Sequence, residues 1–198
     1  MRPARIIATV IAVAAIAVTG CTVHSRADQL SSPPHQPQPR PDRFDPTRPD
    51  RQAQIYTAVL RQYLTSGDAS VGAGYRFPQV FVLDHTVAGA GALGYDAPGS
   101  GPIPAAVQRT ITHALTEVGP LTFVASRDEV IVEPQGCAHV RDDGILVTLG
   151  PVDGAGDQVQ VGVNGFLACL GANSLTYSVQ QTSSGWRVGG ITALGPVA

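Results

Sequence analysis

The chain has 198 residues, of which 13 are basic and 15 acidic, so that its formal net charge is −2. This small and nearly balanced charge provides neither a basic footprint for nucleic acid nor a polybasic patch for a membrane surface, and we expect no nucleic-acid partner. After the first 20 residues, no apolar stretch is long enough to cross a bilayer, which is typical of a secreted soluble domain.

The first 20 residues have the three-part pattern of a secretory signal. Arg2 and Arg5 form a positive start, a nearly continuous apolar run extends from Ile6 to Val18, and small residues lead into Cys21. The run is shorter than the roughly 20 apolar residues of a membrane-spanning helix. We therefore predict a signal peptide at residues 1–20, with cleavage just before Cys21.

Val18-Thr19-Gly20-Cys21 closely resembles the lipobox of bacterial lipoproteins. The resemblance implies two or three acyl chains, palmitate among them, at Cys21, and more than one chain is what stable anchoring requires. It places the mature protein on the extracytoplasmic face of the cell membrane, with the lipid on Cys21 as its membrane contact. The alternatives are an ordinary secretory signal with an incidental cysteine and an uncleaved anchor.

Residues 21–50 are rich in proline and poor in side chains that could be buried. Proline lacks the amide donor and restricts φ, which disfavours both helix and sheet, so we predict a disordered, extended tether between the lipid and the domain. A docking site for a proline-binding partner is the less favoured alternative.

Cys137 and Cys169 are the two cysteines that remain once Cys21 carries lipid. Outside the cytoplasm such a pair usually forms a disulfide, which by chain entropy contributes about 3–4 kcal/mol. A metal site at Cys137 and His139 and two free thiols are the alternatives. Cys-x-His lacks the usual zinc spacing and no second cluster accompanies it, so we predict no metal and no cofactor.

Residues 51–198 are predicted to form one α+β domain, with two helices packed on one face of a curved antiparallel sheet. The first helix begins at Asp50 as N-cap and ends at Gly67, and the second begins at Pro104 and ends at Gly119-Pro120. Between them lie an apolar strand and a glycine-rich loop. The predicted strands are residues 79–84, 121–125, 130–132 and 145–149 and three alternating segments around Val161, Tyr177 and Val188. The predicted glycine-rich loop is residues 88–104.

The last hairpin, Tyr177-x-Val179 followed by Gly185-Trp186-Arg187-Val188, resembles the closing hairpin of NTF2-like domains. The resemblance covers some twenty residues and implies a cone-shaped domain. The order of elements departs from that family, because here a strand lies between the helices. We transfer no catalytic residue from it.

Catalytic candidates are few. Asp84, His85 and Ser100 are residue types that a serine hydrolase uses, but the sequence has no Gly-x-Ser-x-Gly elbow. His113 is expected to face solvent, and residues 153–157 are expected to form a turn because they lack the alternating acids of a calcium loop.

We therefore predict a lipid-anchored binding or interaction domain without catalysis, for an unidentified protein or small molecule. Its site would be the concave sheet face or the 88–104 loop. The alternative is an envelope enzyme, such as a hydrolase, with His85 or His139 in a pocket beside a carboxylate.

Overall fold

The computed structural model describes residues 49–91, 99–133, 136–169 and 171–195, which all belong to the unit Pro41–Ala198. The predicted signal peptide, Cys21 and the predicted tether up to residue 48 lie outside the described residues. Within the described ranges, no helix has both the length and the apolar character needed to cross a membrane.

The described chain forms two helices, one large sheet and two short ladders. The helices are α1 (Pro49–Thr65) and α2 (Ala105–Ala114). The strands are β1 (Val80–Leu83), β2 (His85–Thr86), β3 (Gly101–Pro102), β4 (Leu121–Val124), β5 (Ile131–Val132), β6 (His139–Val140), β7 (Ile145–Leu149), β8 (Gln158–Phe166), β9 (Ala172–Thr182) and β10 (Gly185–Leu194). The predicted α+β class is confirmed.

The large sheet has the strand order β10-β9-β8-β7-β1-β4. Strands β7 to β10 pair antiparallel, as predicted, whereas β1 pairs parallel with both β7 and β4. The β1–β4 pair follows from chain order, because α2 lies between these two strands and a helical crossover returns the chain in the same direction. Strand β7, which the chain reaches through β5 and β6, also runs parallel to β1. The sheet is therefore mostly antiparallel, with a parallel end.

One face of this sheet, which we name the closed face, is covered by both helices. The apolar stripe predicted for α1 is buried at Ile55, Val59 and Leu60, and the seam predicted for α2 is buried at Val107 and Ile111. The sheet contributes every second residue of its strands, as period-two alternation requires: Val80, Val82, Ile145, Val147, Leu149, Val159, Val161, Val163, Leu175, Tyr177 and Val179.

A hydrogen-bonded polar cluster lies at the edge of this closed face. The Tyr177 hydroxyl donates to Asp68 Oδ2 at 2.6 Å, the Tyr63 hydroxyl donates to Asn173 Oδ1, and Asn173 Nδ2 donates to the Asp68 carbonyl. Burial first, and the Asp68 carboxylate second, raise the pKa of both Tyr63 and Tyr177 well above the ordinary value. The polar groups buried here are thus paired with one another.

The opposite face, which we name the open face, has a smaller apolar cluster. Val130 and Val140, from the excursion between β4 and β7, pack against Phe81, Leu83 and Leu146. The two strands predicted at residues 121–125 and 130–132 do not pair with each other: β5 pairs with β6, while β4 pairs parallel with β1.

The segment of residues 87–91 covers another part of the open face, beside β7 and β8. The Val87 amide donates to the Leu149 carbonyl at 2.9 Å, and the Gly91 amide donates to Asn164 Oδ1 at 2.7 Å. Gly162 makes this contact sterically feasible, because a Cβ there would lie 1.6 Å from the Ala90 carbonyl oxygen. Residues 92–98 of the predicted glycine-rich loop lie outside the described residues.

Candidate binding cleft on the open face

A cleft of ≈ 560 Å³ lies on the open face, between the excursion that contains β5 and β6 and the segment that follows β1. Such a volume is within the range of small-molecule sites. Its floor consists of side chains from four strands: Leu83, Leu146, Thr148, Asn164, Phe166, Ala172 and Ser174. Its walls contain His85 and Val87 on one side and Ala125, Ser126 and Arg127 on the other.

The walls of the cleft belong to the segments that follow two neighbouring parallel strands, β1 and β4. After β1 the chain first covers part of the open face at residues 87–91, before α2 returns it on the closed face, and after β4 it leads to Val130 on the open face. Between the carboxyl ends of two such strands the chain leaves a crevice, which is where open parallel sheets bind ligands. The walls are the residues that follow these two strand ends.

In the first wall, His85 follows β1 and is held by its neighbour. Nδ1 of His85 lies 2.9 Å from Asp84 Oδ1. Because a carboxylate can only accept, Nδ1 carries the proton, and Nε2 is the ring atom left for a ligand. The β2–β3 ladder, in which His85 pairs with Pro102, holds the backbone of this wall.

In the second wall, a capping box shapes the turn that follows β4. Ser126 Oγ accepts from the Asp128 amide at 3.1 Å, and Glu129 Oε1 accepts from the amides of Ala125 and Ser126 at 3.0 and 2.9 Å. These amides are therefore already bonded. The side chain of Arg127, between them, is left to interact with the cleft.

Arg127 carries the positive charge of the cleft. Its guanidinium carbon lies 5.9 Å from the centroid of the Phe166 ring, within the range of a cation–π contact. Asp84, Asp128 and Glu129 belong to the wall segments, but no carboxylate is among the described residues that line the cleft. The lining thus combines an apolar floor with one permanent cation.

The Cys137–Cys169 disulfide supports the excursion that forms the second wall. The structure joins the two residues with their Cα atoms 5.5 Å apart, consistent with the predicted pair. The Val140 amide also donates to the Leu167 carbonyl at 2.9 Å. Both links attach the excursion to the turn between β8 and β9, and they therefore hold Val140 over the sheet.

The other predicted candidates lie outside the cleft. Ser100 accepts from the Ala88 amide at 2.8 Å and so closes the base of its loop, away from the lining residues. His113 is exposed on α2, as predicted. Residues 153–157 form the predicted turn, in which Asp153 pairs with Gln160. His139 lies beside the Cys137 carbonyl, with 3.3 Å to its Nδ1.

Metal ligation is not favoured by these positions. In the part of the chain that the structure describes, no three His, Cys, Asp or Glu side chains are close enough to hold a metal ion. The disulfide also takes up the Cys137 thiolate on which the alternative metal site depended.

Comparison with protein-family models, curated proteins and solved structures finds no match to this chain. The NTF2-like resemblance therefore stays a prediction, although the hairpin that carries it is present as β9 and β10.

Sequence reasoning missed Arg127, Phe166 and Asn164 as site residues. Arg127 lies in the short turn after β4, and the other two lie at the end of β8, a strand that the sequence predicts through its alternation alone. The available signal was the order strand–helix–strand around α2, since it predicts parallel pairing and a crevice at the carboxyl ends.

Proposed function

We propose that this chain is a lipid-anchored, extracytoplasmic binding domain that takes a small molecule into the cleft on the open face and does not transform it. The lipobox-like sequence ending in Cys21 supports the anchor, and the proline-rich residues 21–50 support a spacer between membrane and domain. The cleft supports the binding activity.

The observation that carries the proposal is that polar groups of the walls and floor are already hydrogen-bonded within the protein. Ser126 caps a turn, Asn164 Oδ1 holds the Gly91 amide, and His85 is bonded to Asp84. Among the described residues, no hydroxyl or thiol forms a hydrogen bond with His85, so the nucleophile–base pair of covalent catalysis is missing there. An apolar floor with a few fixed polar groups is typical of a binding site.

Binding in the cleft is tested by filling it. In Ala172→Trp a large ring replaces a methyl group on the floor, and we expect it to abolish binding of an uncharged fluorescent probe such as N-phenyl-1-naphthylamine. Ala106→Trp, at an exposed position on α2, is the matched control and should bind as the unmodified protein does. Equal binding by both variants would show that the probe occupies another place.

The anchor is tested separately. Cys21→Ala should prevent acylation and either release the protein from the membrane fraction or leave an unprocessed precursor, whereas Thr22→Ala should be processed normally. Mass spectrometry and fractionation measure both effects. Unchanged mass and unchanged partition of Cys21→Ala would contradict the anchor. Limited proteolysis near Arg26, Arg40, Arg43 or Arg48 that leaves a resistant core would support the tether.

An envelope enzyme is the second candidate, and the Asp84–His85 contact of 2.9 Å in the cleft wall favours it. A carboxylate that orients an imidazole with Nε2 free is an arrangement suited to a general base acting on water. His85→Gln separates the two candidates. An ester or amide hydrolysis that the unmodified protein performs and His85→Gln loses, with binding retained, would replace the binding proposal by this one.

A further inference from the structure

We propose that the ligand of the cleft is an amphipathic oxyanion: an apolar chain or ring that ends in one carboxylate or phosphate, with Arg127 as the residue that binds the charged end. This inference rests on the proposed binding function and adds the chemical class of the ligand. It follows from three properties of the cleft.

The first property is the apolar floor. Leu83, Leu146 and Phe166 converge from three different strands, and Leu83 and Leu146 belong to the buried cluster of the open face while Phe166 packs against it. Because Leu83 and Leu146 are only 7% and 4% exposed, the apolar surface that a ligand can remove from water comes mainly from the half-buried Phe166 and Ala172 above them, and covering it provides affinity for the hydrocarbon part of the ligand.

The second property is the sign and position of the charge. The Arg127 guanidinium lies over Phe166, so the cation and the apolar floor adjoin each other. No carboxylate is among the described lining residues, and the Glu129 carboxylate of the same turn is bonded to the amides of Ala125 and Ser126. A guanidinium without a neighbouring carboxylate in the lining can bind a carboxylate or phosphate of the ligand through two parallel hydrogen bonds.

The third property is the supply of further donors. Because the Gly91 amide donates to Asn164 Oδ1, that oxygen is occupied and Nδ2 is the atom that can donate to a ligand. Thr148 is the partner of Asn164 across β7 and β8 and adds a hydroxyl to the floor. Beside Arg127, these two groups thus supply donors that an oxyanion can use and an ammonium group cannot, while Nε2 of His85, in the first wall, is an acceptor.

The experiment compares three ligands with the same ten-carbon chain: decanoate, decyl glucoside and decyltrimethylammonium, each below its micelle-forming concentration. Calorimetric titration of the full chain should give binding of decanoate that is at least about tenfold tighter than that of the cationic ligand. Arg127→Gln should remove this preference, Arg127→Lys should retain part of it, and Arg109→Gln, an exposed arginine on α2, should leave it unchanged.

The outcomes separate the ligand class from the binding function. Equal affinity for the three ligands, all lost in Ala172→Trp, would overturn the oxyanion proposal and leave the binding cleft standing. Absence of binding by all three would overturn both. Binding of anionic phospholipid vesicles without binding of free decanoate would also overturn the proposal, in favour of recognition of a membrane surface.

Discussion

The two faces of the sheet are built from alternate residues of the same strands, yet they differ in what covers them. On the closed face, α1 and α2 seal a continuous apolar core in which even Tyr56 and Tyr63 are fully buried. On the open face, the described residues that provide cover are the excursion after β4 and the segment 87–91, and between them floor residues such as Phe166 and Ala172 are only half-buried in the cleft. The comparison indicates that one face provides most of the stability and the other provides the site.

This division has a physical cause. A helix presents a wide apolar stripe that fills the surface of a sheet, whereas short ladders such as β2–β3 and β5–β6 present few side chains. Covering by ladders therefore leaves gaps, and a gap over a mixed apolar and polar floor is a binding cleft. Each of the following predictions compares the two faces.

The largest difference is expected from removing a leucine on each face. Leu60→Ala, in the sealed core, should lower the free energy of unfolding by about 4 kcal/mol, because the cavity remains enclosed. Leu146→Ala should cost about 2 kcal/mol, since Leu146 lines the cleft and only the transfer term is lost. Urea unfolding measures both, and Leu194→Ala, at a side chain 71% exposed, is the control. Equal costs at Leu60 and Leu146 would refute the division.

The disulfide should matter next. Replacing Cys137 and Cys169 together by serine removes a link across 32 positions and should cost about 3 kcal/mol. Because the bridge fastens the open-face excursion, hydrogen exchange should accelerate more at Val130 and Val140 than in α1. Thermal unfolding of the oxidised and reduced protein gives the same comparison. Two free thiols in the mature protein, detected by mass spectrometry, would contradict the pairing.

Two glycines three positions apart on β8 sharpen the comparison. A Cβ at Gly165 would lie 1.7 Å from the Tyr63 hydroxyl on the closed face, and a Cβ at Gly162 would lie 1.6 Å from the Ala90 carbonyl on the open face. Gly165→Ala should cost about 3 kcal/mol, because the buried tyrosine has no room to move. Gly162→Ala should cost about 1 kcal/mol, because the 87–91 segment can lift away, but it should weaken probe binding.

The control for this pair is Gly72→Ala, where an added Cβ meets nothing within 4 Å. It should change neither the stability nor the binding of the probe. If Gly162→Ala binds the probe as tightly as the unmodified protein does, the segment 87–91 is not part of the cleft wall.

A last effect is expected only at high pH and belongs to the closed face. Burial raises the pKa of Tyr56, and burial together with Asp68 raises the pKa of Tyr63 and Tyr177. The unfolded chain loses these protons near pH ~10 while the folded protein keeps them, so stability should be constant below that pH and fall above it. Each tyrosine should contribute a slope of about 1.4 kcal/mol per pH unit.

Tyr177→Phe should reduce this slope by the share of one tyrosine, measured by urea unfolding at increasing pH. Tyr75→Phe is the matched control, because its ring is 47% exposed. Stability that is independent of pH above ~10 would show that these tyrosines ionise equally in both states.

Most local features followed from the sequence. The spacing of Ile55, Val59 and Leu60 predicted α1, the run before Asp84 predicted β1, and the alternation around Val161 and Tyr177 predicted the long strands, because periodicity records which side of an element is buried. The α+β class followed from the order of these elements, whereas the Cys137–Cys169 pair, with which the structure is consistent, was predicted from the expected extracytoplasmic location.

Tertiary structure alone decided which strands became neighbours, and so where the cleft lies. The unbroken apolar run Val80–Leu83 is what a strand covered on both faces requires, but strand direction depends on partners distant in sequence, β4 and β7. Arg127 and Phe166 are adjacent only because β4 ends beside β1 in the same sheet as β8, whose Phe166 side chain lies on the open face. Periodicity determines the buried side of each element, whereas long-range packing determines which side chains meet.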